Sequence, residues 1–181
     1  MAFRVATVTD RAGIEALISR AVYGLMSGDD TPEQLDAARQ HVFGVDGELL
    51  ADRSYWLCEH GGSFIAAGEW SRRRSLFGGD QSLGGRESGA LLDPAHDSAR
   101  IRAFFVDPAF ARRGLGQALL SLCVGEAARA GFRSLELVTT LSGVPLYAAA
   151  GFTRVEDFEV MLPHGVSFRV VRMSRAIASG R

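Results

Sequence analysis

Cysteine is scarce in this chain and carries no pattern. Two residues, Cys58 and Cys123, stand among 181, too few for a disulfide framework and without the spacing of a metal site. His41, His60, His96 and His164 are scattered without ligand spacing, so no metal is expected. Charge of one sign is missing as well. Twenty basic residues face 21 acidic ones, so there is no basic excess to draw nucleic acid and no like-charge block to mark a disordered tail. No apolar run is long enough to span a bilayer, and residues 1–10 lack the continuous apolar stretch of a signal peptide. These absences predict a reduced, cytoplasmic, globular protein with no membrane contact. Its 47% hydrophobic and 23% charged residues suit a packed core. With no repeat and no linker, the length predicts a single domain over 1–181.

What is present is regular alternation of element types. Phe3 to Val8 alternates apolar and polar residues, as a half-buried strand does. Thr9 or Asp10 can cap a helix carrying Ile14, Leu17, Ile18, Ala21, Val22 and Leu25. Gly28-Asp29-Asp30 ends it. Thr31-Pro32-Glu33-Gln34 then opens a second helix with a capping residue, a proline in the first turn and an acidic start. Tyr55–His60 and Ser63–Trp70 read as strands joined by a tight Gly61-Gly62 turn. Periodicity fails from 72 to 98, where glycines mix with arginines and aspartates, a long irregular loop for one domain. It returns with an apolar strand at Ile101–Val106, closed by Asp107-Pro108. A helix follows with Leu115, Ala118, Leu119, Leu122 and Cys123 on one face, capped by Gly131. Ser134–Thr140 is another strand, Val144–Ala150 a short helix, and Phe152–Leu162 with Ser167–Arg175 a closing strand pair. The order predicts an α/β (α+β) sheet flanked by helices.

The segment from Phe104 to Ala118 runs from strand through a glycine-containing loop into a helix. The first amides of a helix lack internal partners and sit at its positive end, which suits a phosphate. Gly114 and Gly116 would let a phosphate approach the backbone, and Arg112 and Arg113 can add charge-assisted bonds. No Gly-Lys-Ser/Thr follows, so this is not a P-loop, and the third glycine of a dinucleotide fingerprint is absent. On these residues alone the loop is either a phosphate site or a tight turn with solvent-facing arginines.

Arg113-Gly114-Leu115-Gly116-Gln117-Ala118 resembles the R/Q-x-x-G-x-G/A signature of the GNAT superfamily of acyl-CoA-dependent N-acyltransferases. The strand ending Val106-Asp107-Pro108, the helix ending Ala130-Gly131-Phe132, and Leu146-Tyr147-Ala148-Ala149-Ala150-Gly151-Phe152, similar to the family's L-Y-x-x-x-G-F, follow in the family's order. The resemblance covers about residues 101–152, and 72–98 has no counterpart in it. It implies a mixed, mostly antiparallel central sheet with a splayed central strand pair, and acetyl-CoA as co-substrate. Amides of Arg113, Gly114, Leu115, Gly116, Gln117 and Ala118, with Arg112, would hold the pyrophosphate. Phe104, Phe105 and Val106 would offer backbone groups to the pantetheine and acetyl carbonyl. Tyr147 would protonate the departing thiolate.

For the base that frees the acceptor amine, Glu136 matches a family glutamate if the connecting loop is one residue shorter, and Glu69 is a second possibility. Thr140 stands where many members carry asparagine. Cys123 reads as a core residue, Arg72-Arg73-Arg74 as a solvated run. Arg102 bears on the acceptor only if it points into the cleft. The implied activity is direct acetyl transfer, in a ternary complex, to a small-molecule or peptide amine. A non-catalytic acyl-CoA sensor and a nucleotide-binding protein are the alternatives, and an exposed sheet edge would admit a homodimer.

Overall fold

A computed structural model describes residues 1–75 and 90–177. Its helices are α1 (Arg11–Leu25), α2 (Pro32–His41), α3 (Gly47–Ala51), α4 (Leu115–Arg129) and α5 (Val144–Ala149). Its strands are β1 (Phe3–Val5), β2 (Tyr55–His60), β3 (Ser63–Ser71), β4 (Ala99–Val106), β5 (Ser134–Thr140), β6 (Thr153–Met161) and β7 (Ser167–Ala176). The seven strands form one sheet in the order β1-β2-β3-β4-β5-β7-β6. Every pairing is antiparallel except β4 with β5. The mixed, mostly antiparallel sheet is as expected.

Local chemistry fixes most boundaries. Thr31 and Gln34 form a reciprocal capping box with Pro32 in the first turn of α2. Gly61 and Gly62, at φ 57° and 74°, make the β2–β3 hairpin turn, a pair of left-handed residues whose twist matches that of the strands. α4 ends as Gly131, at φ 93°, donates to Ala128 O and Phe132 donates to Ala127 O, which satisfies carbonyls that the helix leaves open.

Two apolar layers cover the sheet. On one face α4 and α5 bury Leu119, Leu120, Cys123 and Tyr147 against Ile101, Leu135, Leu137 and Met173. On the other, α1 and α3 bury Ile14, Leu17, Ile18 and Leu49 against Tyr55, Leu57, Ala67 and Phe105. α2 closes a smaller cluster over Phe168 and Val170.

Two expectations are corrected. The segment 72–98 is not irregular throughout. Residues 76–89 lie outside the described residues, but its ends are tied: Arg73 bridges Leu91, Leu92 N donates to Arg72 O at 2.7 Å, and Leu92 is buried. Nor is Arg73 merely solvated, since its Nε and Nη2 donate to Asp52 at 2.6 and 2.9 Å.

Candidate active site

β4 and β5 pair only at Ala99–Leu135, Arg100–Glu136 and Ile101–Leu137. Beyond that point β5 continues its ladder with β7 to Thr140, and β4 continues with β3 to Val106. The strands therefore part, and the backbone of β4 from Arg102 onward loses its β5 partner. On its other side β4 carries a bulge. Arg102 pairs Glu69 and Phe105 pairs Ala67, so Ala103 and Phe104 together oppose Gly68. Ala103 takes φ 50°, a left-handed conformation that non-glycine residues rarely adopt. A bulge leaves one residue out of the ladder and re-aims its neighbours.

Phe104 and Phe105 face opposite sides of the sheet, and the bulge before them decides which takes which side. Phe104 packs edge-on against Tyr147 at 6.1 Å between centroids, while Phe105 meets Phe43 at 5.8 Å. Gly68 is needed beneath Phe104, because a Cβ there would lie 2.7 Å from that ring.

At the C-terminal end of β4 the chain turns through a fixed loop. Asp107 Oδ1 accepts from Ala109 N at 3.0 Å, and its Oδ2 accepts from Arg20 Nε at 2.7 Å. Arg20 also donates to Phe64 O at 2.9 Å. Helix α1 is thus clasped to the loop, a tether that the sequence reading missed. Arg112 (φ 62°) and Gly114 (φ 81°) reverse the chain into α4, with Gly114 at the N-cap. A Cβ on Gly114 would meet nothing within 4 Å. The first intrahelical bond runs from Ala118 N to Gly114 O at 2.9 Å. The amides of Gly114, Leu115, Gly116 and Gln117 therefore have no acceptor within the helix, whereas the amide of Ala118, expected among the donors, is already engaged. Arg112 and Arg113 are exposed, and the Arg113 guanidinium lies over the Phe110 ring at 5.2 Å. Gly116 serves packing more than access to the backbone: a Cβ there would stand 3.3 Å from Leu146 Cδ2 of α5.

Tyr147 is 6% exposed, between Phe104 and Phe152. Its hydroxyl has no hydrogen-bond partner among the described residues. Burial, with the Cys123 thiol nearby, raises its pKa. Cys123 is itself buried in the core with a raised pKa, caused first by burial.

The two carboxylates named from the sequence fare differently. Leu135 and Leu137 face α4 and α5, so Glu136 between them faces the opposite side of the sheet from Tyr147. It is held there by Arg100 from β4 and by Arg172 Nε from β7 at 3.3 Å. Glu69, on that same side, is completely buried. Neither of its oxygens accepts a hydrogen bond among the described residues, and Arg102 Nε stands 3.5 Å away. Arg102, whose direction the sequence left open, is buried between Glu69 and Asp46, donating to Asp46 Oδ2 at 3.3 Å. Asp46 also caps α3 by accepting from Glu48 N at 2.9 Å. Desolvation raises the Glu69 pKa to about 8 against the opposing pull of Arg102, with Asp46 and Asp52 adding to the rise. Thr140 Oγ1 pairs with Ser142 Oγ at 2.9 Å at the end of β5. Among the described residues no group of three or more His, Cys, Asp or Glu is arranged for a metal ion, and no helix is long and apolar enough to cross a membrane.

The geometry can be set beside known proteins. Residues 21–152 match the model of the acetyltransferase (GNAT) family. No curated protein matches the chain in sequence. A GCN5-related N-acetyltransferase from Rhodopseudomonas palustris superposes with a TM-score of 0.70 at 16% identity, over 97% of this chain and 95% of that one. The PaiA N-acetyltransferase of Thermoplasma acidophilum, solved with coenzyme A, gives 0.65 at 12% identity over 97% and 98%. The ribosomal-protein-S18-alanine N-acetyltransferase of Escherichia coli gives 0.60 at 17% identity over 99% and 96%. These likenesses are likenesses of fold. The family match spans most of the chain: it belongs to the GNAT family of acetyltransferases, and nothing supports the reading as a non-catalytic sensor.

Proposed function

We propose that this GNAT acetyltransferase moves the acetyl group of acetyl-CoA directly to a primary amine, on a small molecule or a peptide, within a ternary complex. The observation that carries the reading is the side of β4 that loses its β5 partner beyond Ile101, which leads to the open N-terminus of α4. The fit to the co-substrate rests on that geometry. The free amides at Gly114 to Gln117, with Arg112 and Arg113 beside them, suit a pyrophosphate. The strand gap suits an extended arm that borrows backbone hydrogen bonds from Phe104 to Val106.

In the transfer, the amine nitrogen forms a bond to the acetyl carbon, and the carbon–sulfur bond breaks. Negative charge gathers on the carbonyl oxygen, where a backbone N–H of β4 on the side that parts from β5 would stabilise it. The sulfur leaves with the electron pair and takes a proton from the Tyr147 hydroxyl, and the proton that the nitrogen sheds as the amide forms restores that hydroxyl. That hydroxyl has no competing partner among the described residues, and burial keeps it protonated throughout the neutral range. Glu136 stands apart from this chemistry, committed to Arg100 and Arg172.

Thermal shift with acetyl-CoA, against NAD and ATP, tests the ligand. Release of free thiol from acetyl-CoA over a panel of amines tests the reaction. Stabilisation by NAD or ATP but not by acetyl-CoA would refute the assignment.

A further inference from the structure

The loop from Asp107 to Gly114 brings Arg112, Arg113 and the open end of α4 to the mouth of the gap, yet little of its own holds it in shape. One short turn crosses it, with Phe110 N donating to Asp107 O at 2.8 Å. Arg112 stands at φ 62°, which a non-glycine residue holds only where its surroundings impose it. Resting on the reading above, we infer that one face of α1 is the template for this loop, and that Arg20 is a positioning residue for the pyrophosphate of acetyl-CoA, acting through Asp107.

Arg20 and Gly24 are four residues apart and so share one face of α1. Both meet the loop. Arg20 Nε donates to Asp107 Oδ2 at 2.7 Å, and its Nη2 donates to Phe64 O of β3 at 2.9 Å. Gly24 lies so close to Pro108 that a Cβ would stand 2.3 Å from Pro108 Cγ. Asp107 N donates to Ile65 O at 2.9 Å, so α1, the start of β3 and the loop are joined around one residue. The helix is a firm base, since Ile14, Leu17, Ile18, Ala21 and Val22 anchor it in the core.

Asp107 passes the placement on. Its Oδ1 accepts from Ala109 N at 3.0 Å, which fixes the turn that aims the Phe110 ring. That ring meets His60 at 5.4 Å between centroids and carries the Arg113 guanidinium at 5.2 Å. The cation that would meet the phosphates is thus held by a chain of contacts beginning at Arg20. Stability alone does not account for the clasp. The Arg20 side chain is 42% exposed, and an ion pair so open to water adds little to folding. A guanidinium with two fixed acceptors does set direction, and a loop already in its bound shape loses less freedom when the ligand arrives.

The test compares two acetyl donors, acetyl-CoA and S-acetylpantetheine, which keeps the arm and the thioester but lacks the pyrophosphate. Arg20→Met should raise KM for acetyl-CoA about 10-fold with kcat within about twofold. It should lower kcat/KM for S-acetylpantetheine less than about threefold. Arg20→Lys, which keeps the charge but can serve only one of the two acceptors, should recover part of the loss. Gly24→Ala, crowding Pro108 from the same helix face, should also raise KM for acetyl-CoA more than that for S-acetylpantetheine. In a double-mutant cycle, Arg20→Met should cost little more once Arg113→Met is present. Equal losses with both donors, or additive losses in the cycle, would overturn the inference and leave the acetyltransferase reading intact. A parent protein that moves acetyl from acetyl-CoA to no amine would overturn both.

Discussion

Replacing Glu69 by glutamine should stabilise the protein at neutral and alkaline pH and leave it little changed in acid. The carboxyl has a folded-state pKa of about 8 against an ordinary 4.5, with burial as the main cause. The folded chain therefore holds this proton more tightly than the unfolded chain does. Its contribution to stability is whole below about 4.5 and is lost as pH rises through about 8. Each unit between those limits removes about 1.4 kcal/mol. At pH 7 the parent has lost about 3 kcal/mol, and above pH 8 about 5 kcal/mol, relative to acid. Glutamine keeps the shape of the protonated acid and never ionises, so the variant should escape that loss. Its amide beside Arg102 takes back about 1 kcal/mol, since two donors then face each other. Urea unfolding of both proteins from pH 5 to 9 isolates the group as a difference curve. A difference flat within about 0.5 kcal/mol from pH 5 to 9 would refute the reasoning and with it the raised acid.

Three further outcomes can be checked on the CoA side of the gap. Gly116→Glu should abolish stabilisation by acetyl-CoA, about 2.7 kcal/mol for the parent at 100 times the dissociation constant, because a side chain starting 3.3 Å from Leu146 must turn into the mouth of the gap; the ligand-induced change in Tm reads this. Tyr147→Phe keeps the contacts with Phe104 and Phe152 but removes the proton, so kcat should fall roughly 10²–10⁴-fold with the acetyl-CoA dissociation constant nearly unchanged, as rapid-quench and binding titrations would show. Gly114→Ala meets no atom within 4 Å yet must hold φ 81°, which should destabilise the chain by about 1 kcal/mol in urea and weaken acetyl-CoA binding.

The parts of this structure that could be read in the sequence are those decided within a few residues. Thr31 to Gln34 caps α2, Gly61-Gly62 turns the hairpin, and Ser134–Thr140 forms β5 with the bounds its alternation suggests. α3 escaped because five residues are too few for a helical period to emerge. Its only signals were Asp46 as a cap and Glu48 in the first turn. The bulge was hidden for another reason. It depends on how β4 meets β3, and its left-handed residue is Ala103 rather than a glycine that would have marked it. The insertion of β7 between β5 and β6 is likewise a property of the sheet and not of either strand.

The site residues divide along the same line. Gly114 and Tyr147 stand in local motifs, and the structure brings both to the region of the gap. A carboxylate on a strand carries no such mark, because alternation gives its face but not its company. In the sequence Glu136 stood ahead of Glu69, on its match to a family glutamate. Only the assembled sheet gives one of them two guanidinium partners from β4 and β7, and leaves the other buried beside Arg102 without a hydrogen bond among the described residues. What a strand carboxylate meets is decided by the strands that flank it, and those are set by the order of the sheet rather than by its own neighbours in sequence.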